Sequence, residues 1–283
     1  MVSDPGLDRL SVDRVIALLL DAESRVVPTL RRAIPELSKA AAALSTAITA
    51  GGRLAFVGAG TSGRLAAAET AELPGTFGIA PERCRAVIAG AGAESIDDTA
   101  EDDAAAGEAG IRALDLGSGD AVVAVAASGR TPFTLAAAAE ARAAGATVIA
   151  VVNAGDAPLA ELADVAVELV VGDEVLRGST RLTAGTAQKV ALNTLTTAAM
   201  AQAGRVHGNL MVDVVAANAK LRDRAVGIVA EIAGCSSSDA AAALAACDGN
   251  ARAAVLHLVR GLPPDEAVAV VAAHPSLRAA LET

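Results

Sequence analysis

Aromatic side chains are nearly missing from this 283-residue chain, which has three Phe, no Tyr and no Trp. A nucleic-acid surface built on stacked aromatics is therefore not expected. Cysteine is scarce as well. Cys84, Cys235 and Cys247 are odd in number and form no CxxC pair, so they read as reduced thiols of a cytoplasmic protein. Positive charge is in deficit, with 23 Lys and Arg against 33 Asp and Glu and a net charge of −10. That field opposes DNA, RNA and anionic membranes as partners. An anionic small molecule binds only where local dipoles and a few cations overcome it. No apolar run approaches the ~20 residues that span a bilayer. Residues 1–8 are acidic and lack the basic-then-apolar order of a signal peptide.

What is present is a chain with 53% hydrophobic and 20% charged residues, which excludes disorder. Residues 1–50 read as helical. Val12, Ile16, Leu19 and Leu20 share one face, with Ser11 placed to cap it. After Pro28, the residues Leu30, Ile34, Leu37, Ala41, Leu44 and Ile48 form a heptad seam, which predicts packing along another helix, one from a second subunit. Gly51-Gly52 ends this segment.

Residues 51–212 then alternate short apolar runs with helical stretches. Strands are predicted at 54–57, 86–89, 121–126, 147–152 and 165–170, and helices at 64–73 (closed by Pro74), about 94–109, 131–144 and 180–203. The apolar runs lack polar alternation, as strands buried on both faces require. The expected fold is α/β: a doubly wound, mostly parallel sheet flanked by helices. Residues 213–283 read as a linking helix at about 213–232 followed by three short helices that form a small bundle.

Gly58-Ala59-Gly60-Thr61-Ser62-Gly63 follows a strand and opens a helix, so it satisfies GxGxxG. A dinucleotide fingerprint also needs an acid about 20 residues on, at the end of the second strand, and none is there. The adjacent hydroxyls of Thr61 and Ser62 suit a terminal phosphate better. A second loop, Ala127-Ser128-Gly129-Arg130-Thr131-Pro132, again lies between a strand and a helix, with Pro132 at a first helical position. Two such loops at the carboxyl ends of parallel strands converge on one crevice. No nucleotide cofactor is expected. The three His show no ligand spacing, so no metal is expected either.

The paired loops resemble those of sugar isomerase domains. The strings at 57–65 (VGAGTSGRL), 127–133 (ASGRTPF), 174–189 (EVLRGSTRLTAGTAQK) and 208–214 (GNLMVDV) resemble the N-acetylmuramic acid 6-phosphate etherases. The resemblance implies a cofactor-free cytoplasmic homodimer that binds a phosphosugar. It implies cleavage of the lactyl ether of N-acetylmuramate 6-phosphate to N-acetylglucosamine 6-phosphate and D-lactate. It also picks out Glu72 as proton donor and Glu101 as the second active-site glutamate. The expectation for Glu72 is a raised pKa, because it sits among apolar neighbours in the last helical turn before Pro74. Glu101 otherwise belongs to an acidic stripe with Glu94, Asp97 and Asp98. Gly60, Thr61, Ser62, Gly63, Ser128, Gly129, Arg130 and Thr131 are the candidate phosphate loops; Ser179, Thr180, Arg181 and Lys189 are candidates near the 180–203 helix. Asn209 and Asp213 are open to either a substrate or a turn role. The alternatives are a phosphosugar-binding regulator and an aldose–ketose phosphosugar isomerase. The chain departs from the resemblance at 73–76 (LPGT for a Cys-Pro-Pro-Thr string), at Arg177 and at His207.

Overall fold

The computed structural model describes residues 6–90 and 98–283. Five strands, β1 (Leu54–Gly58), β2 (Cys84–Ile88), β3 (Ala121–Ala126), β4 (Thr147–Val152) and β5 (Val165–Glu168), form one parallel sheet in the order β2-β1-β3-β4-β5. The order reverses between β1 and β3, whose register runs from Leu54 opposite Ala121 to Gly58 opposite Val125. β1 and β3 are buried throughout.

Alternate residues of each strand serve opposite faces. Leu54, Phe56, Val123, Val125, Ile149 and Val151 meet α2 (Val26–Arg32), α3 (Ile34–Thr49), α4 (Gly60–Phe77) and α8 (Thr183–Gln202). The other face is smaller in side chain. Ala55, Val57, Ala124, Ala126 and Ala150 pack with Ala137, Ala138 and Ala141 of α6 (Pro132–Ala143), joined by α5 (Ala104–Arg112) and α7 (Pro158–Leu162). The alanine bias is thus a packing requirement: short side chains let α6 lie close to the sheet.

The heptad seam finds its partner within the chain. Leu30, Leu37, Ala41, Leu44 and Ile48 are buried among α8 and the sheet, and only Ile34 stays exposed. It therefore requires no second subunit. α1 (Val12–Glu23) follows Ser11, whose side chain makes no capping bond. The break expected at Pro74 is absent: α4 continues to Phe77 and stops at Gly78, whose φ of +64° and N–H to the Pro74 carbonyl close it. One proline removes one intrahelical donor, and the helix tolerates this near its end. Glu94 and Asp97 lie outside the described residues. The helix expected over 94–109 starts only at Ala104, because the Asp103 carboxylate accepts from the Ala106 amide and caps it. Glu101 precedes it in a 3-10 turn, Asp98–Asp102.

Beyond α8, residues 213–218 are not helical. α9 (Ala219–Ala233), α10 (Ser237–Ala246), α11 (Ala251–Arg260) and α12 (Pro264–Ala273) share a third apolar cluster, with a further short helix, α13 (Leu277–Glu282), added at the end. Asp213 fastens this cluster: Arg205 and Arg252 approach its carboxylate at 3.3 and 3.8 Å. Among the described residues no single helix is long and apolar enough to cross a membrane.

At the amino ends of β1 and β3, the buried Asp120 carboxylate accepts from the Arg53 amide at 2.6 Å, the Gly117 amide at 2.9 Å and the Arg53 guanidinium at 2.9 Å. Burial alone would raise its pKa, but the bonds from Arg53 and Gly117 outweigh it and hold the carboxyl below the ordinary range. A depressed folded-state pKa adds stability above the unfolded value near ~4, lost as pH falls through the folded value. Asp120→Asn is therefore expected to lower stability by about 1–3 kcal/mol at pH 7 and to flatten the acid limb of a stability-against-pH curve. Gly107 offers a second test. A Cβ there would lie 2.2 Å from the Phe133 carbonyl oxygen, where α5 crosses α6. Gly107→Ala should cost at least about 2 kcal/mol, read by calorimetry since the chain has no Trp or Tyr.

Candidate active site

At the point where strand order reverses, α4 and α6 leave the carboxyl ends of β1 and β3 toward opposite faces of the sheet, and neither fills the space between them. A cavity of about 720 Å³ lies there. Gly60, Thr61, Ser62 and Arg64 of α4 line one side, and Ala127, Ser128 and Thr131 another. Glu101 and the segment Gly178, Ser179, Thr180 and Arg181 complete it. A second cavity, about 770 Å³, is walled mainly by Ala and Val of the 212–217 segment, α9 and α10, and contains none of these groups. The switch-point cavity is the one that gathers the loop hydroxyls and Glu101.

Helix termini supply much of its polarity. The residue before α4 is Ala59, which has no side chain to cap with, and the first intrahelical bond is from the Gly63 amide to the Ala59 carbonyl at 2.9 Å. The amides of Gly60, Thr61 and Ser62 thus remain for a ligand. α6 begins at Pro132 after Thr131, whose side chain makes no capping bond, leaving the Phe133 and Thr134 amides ahead of the first bond. α8 differs. Its first amides, Thr183 and Ala184, donate to the two Glu174 oxygens at 3.1 and 2.9 Å. That N-terminus already holds an anion, and Glu174 pins the segment carrying Ser179, Thr180 and Arg181.

The hydroxyls divide by what they can still donate. Ser62 Oγ donates to Gln188 Oε1 at 2.9 Å, Gln188 Nε2 donates to Asn153 Oδ1 at 2.8 Å, and Asn153 Nδ2 donates to the Leu169 carbonyl at 3.0 Å. The chain of donors fixes both amide orientations. Ser62 has spent its proton, so toward an anion it offers only its amide. Ser128 Oγ accepts from the Arg130 amide at 3.2 Å and keeps its proton to donate. Glu101 stands over the start of α4: a Cβ on Gly60 would come within 2.8 Å of Glu101 Oε1, and Gly60 has φ +53°. The left-handed turn beneath that carboxylate favours glycine.

Other candidates from the sequence lie off this cavity. Lys189 Nζ pairs with Glu69 Oε2 at 3.2 Å, and Glu69 Oε1 accepts from Thr196 at 2.6 Å, so these side chains fasten α8 to α4. The Arg130 guanidinium bonds the Asp156 carbonyl at 3.1 Å, away from the opening. Gly63 and Gly129 are packing glycines: a Cβ would come 2.7 Å from the Gly58 oxygen in the first and 2.5 Å from Ala157 Cβ in the second. Glu72 is exposed, about 18 Å beyond Gly60 along α4 at 1.5 Å per residue. Neither the apolar setting nor the helix end at Pro74 expected around it is present: the side chain meets solvent and α4 runs on to Phe77. Asn209 tops the exposed turn closed by His207 and Leu210. Cys84 is no nucleophile: burial, then the nearby Glu69 carboxylate, push its thiol up to about 12. Sequence reasoning gave no role to Arg64, Gln188, Asn153 or Glu174; Arg64 directly follows the glycine loop, a signal that was available.

A parallel sheet of this order with hydroxyl-bearing loops at its switch point defines a class. The SIS domain family profile matches residues 21–153. A putative sugar-phosphate isomerase from Listeria monocytogenes superposes with a TM-score of 0.53 at 17% identity, over 69% of this chain and 92% of that one. A phosphoheptose isomerase from Francisella tularensis gives 0.53 at 20% identity, over 68% and 99%. The fold is therefore that of a SIS-domain protein. Sequence similarity narrows the class. Proteins named N-acetylmuramic acid 6-phosphate etherase from Deinococcus radiodurans and Rubrobacter xylanophilus are 47% and 46% identical, covering 92% and 97% of this chain and 86% and 92% of their own lengths. The chain belongs to the N-acetylmuramic acid 6-phosphate etherase family.

Because Glu174 caps α8 and fixes one wall of the cavity, Glu174→Ala is expected to lower stability by about 1–2 kcal/mol. Calorimetry should show Glu174→Gln retaining part of that loss, since one amide oxygen can still accept.

Proposed function

We propose that this protein cleaves the D-lactyl ether of N-acetylmuramic acid 6-phosphate, releasing D-lactate and N-acetylglucosamine 6-phosphate. The observation that carries the reading is a carboxylate, Glu101, set over a helix start inside a cavity of amide and hydroxyl donors. Direct hydrolysis of an ether at sugar C3 is difficult. With the ring open, C1 is an aldehyde and the C2 proton becomes acidic. Glu101 removes that proton, lactate departs from C3, and water adds across the resulting double bond. Ser128, Thr131 and the first amides of α6 hold the phosphate, while Thr61, Ser179 and Thr180 bind sugar hydroxyls.

Glu72 is assigned the acid that protonates the departing lactate oxygen, and on its own chain it is too far from Glu101 to do so. The homodimer supplies the missing reach: Glu72 of the partner subunit enters this cavity. Val12, Ile16 and Leu20 form an apolar stripe on α1 that is 76%, 51% and 66% exposed, a face suited to a second copy. An isomerase on the same scaffold releases no lactate, and a regulator binds without turnover.

Lactate release from N-acetylmuramate 6-phosphate tests the reading. Glu101→Gln is expected to reduce it by roughly 10²–10⁴-fold and to abolish solvent deuterium entry at C2. Full lactate release by Glu72→Gln would refute its role as acid. Mixing the inactive Glu72→Gln and Glu101→Gln proteins should restore about a quarter of wild-type activity, since half the random dimers then hold one intact composite site. No recovery on mixing would place both glutamates in one subunit's site.

A further inference from the structure

The reaction proposed above sets a selectivity problem that the cavity can solve, and the inference here rests on that reading. The substrate has two anions, a phosphate on C6 and the carboxylate of the 3-O-lactyl group; the sugar product retains only the phosphate. The cavity offers two kinds of anion partner. Ser128, Thr131 and the start of α6 are neutral donors, whereas Arg64 and Arg181 are cations.

These two guanidiniums are the cations in the cavity wall. Arg130 and Lys189, the other cations proposed for the site from sequence, bond within the chain, to the Asp156 carbonyl and to Glu69. Neither Arg64 nor Arg181 has an ion-pair partner among the described residues. Both belong to the Glu101 side of the cavity. Arg64 lies one turn beyond Gly60, whose Cβ position is 2.8 Å from Glu101 Oε1. Thr180, next to Arg181, adjoins Thr61: a Cβ on Gly185 would be 3.5 Å from both the Thr180 oxygen and Thr61 Cγ2. A base that reaches the C2 proton has the C3 substituent beside it. The lactyl group is then placed against the arginines, and the phosphate at the far, neutral end.

We propose that Arg64 and Arg181 bind the lactyl carboxylate and make the site selective for the lactylated sugar over its product. A planar guanidinium meets a carboxylate with two parallel bonds, which gives direction as well as attraction. Neutralising that carboxylate also removes its repulsion of Glu101, which must stay charged to act as a base. The Glu174 bonds to the start of α8 hold the Arg181 segment in place before substrate arrives.

Calorimetric dissociation constants for N-acetylmuramic acid 6-phosphate and N-acetylglucosamine 6-phosphate, measured in a Glu101→Gln background with and without Arg64→Gln/Arg181→Gln, decide the matter. The lactylated sugar is expected to bind roughly 10- to 100-fold more weakly once both arginines are gone, and the product to change by less than about threefold. Equal weakening of both ligands would assign the arginines to phosphate and overturn the inference, as would no change in either. If the Glu101→Gln parent itself binds neither sugar phosphate, the proposed reaction fails and this inference with it. Should the double variant not fold, the single variants Arg64→Gln and Arg181→Gln must each lower the lactylated-to-product selectivity; unchanged selectivity in both would sink it.

Discussion

The parallel pairing of β1 with β3 is the constraint on which the site depends. From β1 the chain builds toward one edge of the sheet and from β3 toward the other, so the helices that follow them pack on opposite faces. Ala66 and Leu73 of α4 belong to one core, Phe133 and Ala137 of α6 to the other. A crevice at the carboxyl ends is then unavoidable. Because the two faces differ in side-chain size, a one-residue slip of β1 would turn Leu54 and Phe56 into the alanine-lined face under α6. The positions of Gly60, Thr61, Ser128 and Thr131 follow from that register.

Electrostatics complete what topology begins. A chain with a net charge of −10 holds an anion only if the local donors are fixed before the ligand arrives. Two helix starts are left open at the cavity, and a third, that of α8, is closed by Glu174. This difference matters. An acid spent on α8 orders the 178–181 segment, while the Ser62–Gln188–Asn153 relay locks α4 against α8 beneath the same opening. Rigidity in the donors comes from bonds that touch no ligand.

The centre of the sheet was legible because its runs are almost wholly apolar, and β3 and β4 lie where those runs place them. The outer strands carry Arg85 and Glu168 and have other bounds, Cys84–Ile88 against the expected 86–89 and Val165–Glu168 against 165–170. Helix ends were less so. Proline at position 74 reads as a stop, yet the structure stops at Gly78, where left-handed φ and the nearby Asp213 carbonyl leave room for nothing larger. The heptad seam of α3 was real, but periodicity specifies an apolar stripe and not its owner, and the stripe belongs to this chain's α8. Among the site candidates, hydroxyls and amides near the loops were readable from spacing. The directions of long side chains were not: Arg130 and Lys189 follow Asp156 and Glu69, partners 26 and 120 residues away. Ser62 shows the finer limit, because whether a hydroxyl can still donate depends on Gln188 far along the chain.

The unbroken α4 has a further consequence. It has its amino end in the cavity and Glu72 near its other end, so the helix itself holds Glu72 away from the turn beneath Glu101. In the proposed dimer, two-fold symmetry turns that separation into a connection. Each α4 then contributes amides to one site and a carboxylate to the other. The continuity of the helix through Pro74 is what holds the two ends at a fixed spacing. A helix that ended at Leu73, as the sequence first reads, would leave Glu72 on a frayed last turn with no defined direction. Carrying the helix one turn further, to the glycine stop, makes the exposed position of Glu72 an orientation, which the proton transfer proposed across the dimer interface needs.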